Sequence, residues 1–151
     1  MPEIIGAFFI VRTALSRNET KQELSGGIVA KILITVCEAP YGRQRFITAY
    51  RFAMRAKSEN HNVVMLLLED AIGVAKKGQA MTELPGVMHE IPPNCEELLK
   101  AALKAGIEIW ACGTCFSERG FKEADSVEGV KVINIGQFVD EVVRSDKVVN
   151  F

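Results

Sequence analysis

Four short apolar runs separated by amphipathic or polar stretches constrain this chain more than any other feature. KILITVC (Lys31 to Cys37), NVVMLLL (Asn62 to Leu68), IEIWA (Ile107 to Ala111) and VKVINI (Val130 to Ile135) are rich in β-branched residues and of strand length. The second run is apolar throughout, as expected of a strand buried on both faces. Between the first two, Phe46, Ile47, Tyr50, Ala53 and Met54 recur at helical spacing with Arg and Lys opposite. Asn94 followed by Glu97 reads as a capping box, Leu98, Leu99, Ala102 and Leu103 as the stripe of the helix it starts, and Gly106 as its C′ residue. A further helix over about Gln137 to Arg144 is expected to carry Phe138, Val139, Val142 and Val143 inward, and KVVNF is a short last strand. Strands alternating with helices imply right-handed crossovers. The expected fold is α/β: a three-layer α/β/α domain on a mostly parallel sheet of about five strands.

The chain has 151 residues, one-domain size, and needs no metal or disulfide staple to bury a core. With 18 basic against 19 acidic residues, phosphate neutralisation cannot drive binding, so no nucleic-acid partner is expected. Ile4 to Val11 (IIGAFFIV) is too short to span a membrane and lacks the basic start of a secretory signal. A cytoplasmic location and no membrane partner follow as expectations. Residues 12–30 are polar and end in Gly-Gly, so 1–30 read as an N-terminal extension and 31–151 as the domain. Glu69 to Pro93 holds one short helix near Ala71 to Lys77 and then a long loop, where Met81, Leu84, Val87 and Met88 read as packing or subunit-contact residues.

In a parallel sheet, function gathers at the carboxyl ends of the strands. Cys37, Glu69, Asp70 and Cys112 fall there, and the loop bearing His89 leaves from the same edge. Four cysteines in a reducing compartment are packing residues, ligands or reactive thiols sooner than a disulfide framework. Cys112-Gly113-Thr114-Cys115 sits at a strand end before a short helix, where the helix terminus and a cation such as Arg119, Arg43 or Arg45 favour thiolate. Three chemistries compete with simple packing of this pair. One is a thioredoxin-like dithiol, weakened by the late position of the motif and the lack of any proline after Pro93. Another is a metal or iron-sulfur site using Cys37, Cys112, Cys115 and His89, for which one C-x-x-C is half a knuckle. The third is a persulfide-carrying thiol. No phosphate-binding glycine motif follows any strand, so no cofactor is implied. Cys95, at the first position of a helix, reads as buried and inert, and His61 as structural.

From Lys31 onward the chain resembles the DsrE/DsrF/TusD sulfur-relay family of flavodoxin-like proteins. APYG and the helix after it (Ala39 to Met54), GIEIWACGTCFSERG (Gly106 to Gly120) and SDKVVNF (Ser145 to Phe151) carry the resemblance in register. It implies a cytoplasmic sulfurtransferase that accepts and passes on sulfane sulfur as a cysteine persulfide. By its spacing to Arg119-Gly120, Cys112 matches the persulfide position. Cys115 occurs in only part of the family, and three roles stay open for it: resolving the persulfide, a transient disulfide with Cys112, or packing. The implied partners are other sulfur-relay proteins with donor and acceptor thiols, in a homo-oligomer (trimer or hexamer) or a hetero-oligomer of related subunits. A different class of function is a non-enzymatic oligomeric adaptor with an inert C-x-x-C.

Overall fold

The computed structural model describes residues 28–79 and 94–151. The first 27 residues, His89 and the apolar loop from Met81 to Ile91 lie outside the described residues. Five strands form one sheet: β1 (Lys31–Val36), β2 (Asn62–Leu67), β3 (Glu108–Cys112), β4 (Lys131–Ile133) and β5 (Lys147–Asn150). All neighbours are parallel, in the order β4-β3-β2-β1-β5. The central strand is β2, and its Val63 to Leu67 are all buried, as their unbroken apolar run requires.

The helices are α1 (Arg45–Ser58), α2 (Cys95–Lys104), the short α3 (Gly113–Glu118) and α4 (Ile135–Arg144), with a 3-10 segment at Glu69–Ala75. Asn94 caps α2 with the full reciprocal box to Glu97, and Gly106 takes φ 80° just beyond the helix. Asn134 makes the same box with Gln137 at the start of α4. Because side chains alternate along a strand, the sheet has two separate cores. Ile32, Ile34, Met65, Leu67 and Ile109 pack with Phe46 of α1, Leu99 of α2 and Phe116 of α3 on one face. Leu33, Val64, Leu66, Trp110 and Ile133 occupy the other, covered by Phe138 of α4. Topology explains this division. Each step from β1 to β4 moves the same way across the sheet, so right-handed crossovers put α1, α2 and α3 on one side. The return from β4 to β5 reverses direction and puts α4 on the other.

One expectation is corrected. Val139, Val142 and Val143 face outward, at 56%, 38% and 79% exposure, with Ile135 at 73%. Glu141 is turned in instead and is 2% exposed. Lys31 Nζ lies 2.8 and 2.9 Å from the two oxygens of that carboxylate, which orients α4 on the sheet. Fourth-strand limits also shrink: β4 ends at Ile133, and Ile135 already belongs to α4.

Candidate functional site

The neighbours β3 and β4 are followed by helices on opposite faces. Their carboxyl ends therefore open into a crevice, the switch point of a parallel sheet. Cys112 is the last residue of β3, and a cavity of about 310 Å³ lies beside it, lined by Cys112, Cys115, Leu68, Ile133, Ile135 and Phe138 among others. The lining is largely apolar, with Thr114, Glu118 and Asn134 supplying its polar groups.

Helical geometry brings the two sulfurs together. Cys112 is the N-cap of α3 and Cys115 stands one turn on, with Cα atoms 5.2 Å apart and the two Sγ atoms paired as a disulfide. That Cα separation is within the range a disulfide spans. Gly113 lets the start of α3 pass close to β4, since a Cβ there would meet the Ile133 carbonyl oxygen and Val132 Cγ1, both at 3.2 Å. Cys115 N–H donates to Cys112 Sγ at 3.2 Å, and Glu69 N–H donates to Cys115 Sγ at 3.3 Å. Each sulfur of the pair thus receives one backbone donor. Glu69 has φ 50°, a left-handed conformation for a non-glycine residue, and this turn after β2 is what aims its amide at the pair.

Arg119 does not touch either sulfur. Its Nε and Nη2 donate to Asp70 Oδ1 at 3.0 and 2.7 Å, and its Nη1 donates to the Cys115 carbonyl at 3.3 Å. It ties α3 to the 3-10 segment, so it positions Cys115 through the backbone. Arg45 lines a separate hollow with Cys37, Glu38, Asp70 and Phe151. Both cysteines are the sequence candidates, whereas the Glu69 amide has no sequence signal beyond lying just past the carboxyl end of β2.

The other cysteines separate cleanly. Cys37 follows β1, two strand positions from β3, or about 10 Å at normal strand spacing. Among the described residues no three His, Cys, Asp or Glu side chains converge as a metal-binding group. Cys95 is buried, its thiol donating to the Pro40 carbonyl at 3.2 Å, and burial pushes that thiol up, away from thiolate at neutral pH. His61 Nδ1 accepts from Ala30 N–H at 3.2 Å and secures the chain leading into β1. Among the described residues no helix is long and apolar enough to cross a membrane.

These features make the molecule an all-parallel, flavodoxin-like α/β domain with paired cysteines in its switch-point crevice. Residues 30–151 match the DsrE/DsrF-like family, and the chain belongs to that family, which is associated with sulfur relay. Its sequence is 40% identical over 121 residues to uncharacterized protein MJ0989 of Methanocaldococcus jannaschii, covering 80% of this chain and 99% of that protein. It is 39% identical over 120 residues to uncharacterized protein MK0008 of Methanopyrus kandleri, covering 80% and 93%. The crystal structure of YchN from Escherichia coli shares the fold at TM-score 0.71 and 23% identity, covering 82% of this chain and 100% of that one.

Proposed function

We propose that the protein is a persulfide-carrying sulfurtransferase of a sulfur relay, with Cys112 as the residue that accepts and passes on sulfane sulfur. The observation that carries this reading is the placement of Cys112 at the end of β3, on the wall of the β3–β4 crevice, with a backbone N–H on its sulfur. A persulfide needs a nucleophilic sulfur, room for one further atom and protection from bulk water. The hydrogen-bond donor supports the first requirement, and an apolar cavity opening from the sulfur supports the other two. In transfer, the Cys112 thiolate attacks the outer sulfur of a donor persulfide, and the donor thiolate leaves.

Passing sulfur between proteins requires a docking face near the pair. Ile135 and Phe138 belong both to the crevice and to α4, whose Ile135, Val139 and Val143 form an exposed stripe at i, i+4 and i+8. A second copy of the chain covers this stripe in our reading, giving a homo-oligomer whose interface borders the crevice.

Loading tests the function. Reduced protein treated with a persulfide donor should gain the mass of one sulfur atom on the Cys112 peptide. An adduct that persists unchanged in Cys112→Ser would overturn the assignment. An oligomeric adaptor with an inert pair would show neither an adduct nor alkylation of Cys112 before unfolding.

A further inference from the structure

We infer that Cys115 converts the Cys112 persulfide into free hydrosulfide, making the protein a sulfide-releasing reductase of sulfane sulfur as well as a carrier. This rests on the reading of Cys112 as acceptor and adds a second outcome for the bound sulfur. Three features carry it. The two Sγ atoms are paired, and their Cα atoms stand 5.2 Å apart on one turn of α3. Cys115 Sγ has its own donor, the Glu69 amide at 3.3 Å, which comes from a different segment than the amide on Cys112 Sγ. Both cysteines line the same cavity, which leaves a terminal sulfur on Cys112 room to lie away from Cys115.

The geometry selects which sulfur is attacked. Cys115 Sγ adjoins the inner sulfur of the persulfide, Cys112 Sγ, rather than the terminal one beyond it. The Cys115 thiolate attacks Cys112 Sγ and forms the Cys112–Cys115 disulfide. The bond from Cys112 Sγ to the terminal sulfur breaks, and that sulfur leaves with the electron pair as hydrosulfide. Starting from the protonated groups, one persulfide and one thiol give one disulfide and one hydrogen sulfide. The terminal sulfur is reduced to sulfide, and the two cysteine sulfurs are oxidised together. A dithiol reductant then restores both thiols by exchange and is itself oxidised to its disulfide. Where an acceptor thiol reaches the terminal sulfur first, sulfur is passed on intact. Cys115 therefore sets the lifetime of the carried sulfur.

The test uses the full chain, reduced and freed of reductant under anaerobic conditions, with glutathione persulfide as the probe. Wild type should release about one sulfide per chain as the Cys112–Cys115 disulfide appears on peptide mapping. Cys115→Ser should hold the persulfide on Cys112 and release sulfide about a hundredfold more slowly, since the attacking thiol is no longer intramolecular. Cys115→Ala should match it, and an unchanged unfolding midpoint in either variant separates chemistry from misfolding. If wild type keeps its persulfide as long as Cys115→Ser does, the reductase step is wrong and the carrier stands. If Cys115→Ser takes up no sulfur on Cys112, the carrier reading fails, and the reductase step falls with it.

Discussion

Glu69 reaches Cys115 with its backbone and not with its carboxylate: the amide donates to Cys115 Sγ at 3.3 Å from a left-handed φ of 50°. That conformation costs a residue with a Cβ about 1 kcal/mol, a cost glycine escapes. Glu69→Gly should therefore hold or slightly raise stability, by up to about 0.5 kcal/mol after the added freedom of the unfolded chain is subtracted. Alkylation of Cys115 should stay at the wild-type rate, because the N–H remains. Urea unfolding and timed alkylation measure the two. A large loss of Cys115 reactivity in both Glu69→Gly and Glu69→Gln would instead assign the work to the side chain.

Lys31 neutralises a carboxylate that is almost out of water. Lys31→Met leaves Glu141 buried at 2% exposure without its cation, and stability should fall by about 2 kcal/mol, moderated because Lys31 is itself a third exposed. The double variant Lys31→Met with Glu141→Met should recover most of that loss, a coupling that a double-mutant cycle in urea reads directly.

Acid sensitivity should come in part from Glu96. The Lys100 ammonium at 2.6 Å, followed by the Gln79 amide at 2.9 Å, lowers its pKa below the ordinary carboxylate value. A depressed folded pKa adds stability that is complete above the unfolded value of about 4.3 and lost as pH falls through the folded one. Glu96→Gln should thus be less stable than wild type by about 1 kcal/mol at pH 7, with the gap closing below about pH 4. Thermal unfolding at the two pH values checks the sign.

The outward stripe of α4 predicts association. Val143 is 79% exposed, so Val143→Glu removes little packing inside the chain and should leave the unfolding midpoint near wild type, within about 0.5 kcal/mol. Its mass by light scattering should drop toward that of a single chain. A wild type that is already monomeric would remove the self-association reading.

Most of the fold was legible because its signals are local. The strand runs, the Asn94–Glu97 capping box and Gly106 at a positive φ each follow from residues within a few positions of one another. The nearness of Cys112 and Cys115 is local too, since a spacing of three spans one helical turn, while their pairing was only one of three roles left open for Cys115. The inward face of α4 was misread. Ile135, Phe138, Val139, Val142 and Val143 form one continuous apolar arc, which reads as the core face, yet only Phe138 covers the sheet while Glu141 turns in to meet Lys31. Arg119 was one of three cations offered for the thiols, and Asp70, 49 positions away, holds it instead.

Local residue patterns set the strands and helices, their alternation and hence a parallel sheet, and a C-x-x-C spacing at a strand end. What surrounds that spacing depends on the assembled sheet. The crevice exists because the return from β4 to β5 sends α4 to the opposite face. The donor on Cys115 comes from a turn 46 positions earlier, and α4 takes its orientation from an ion pair between residues 110 positions apart. Such contacts depend on which strands become neighbours, a property of the assembled sheet that no short window of residues carries.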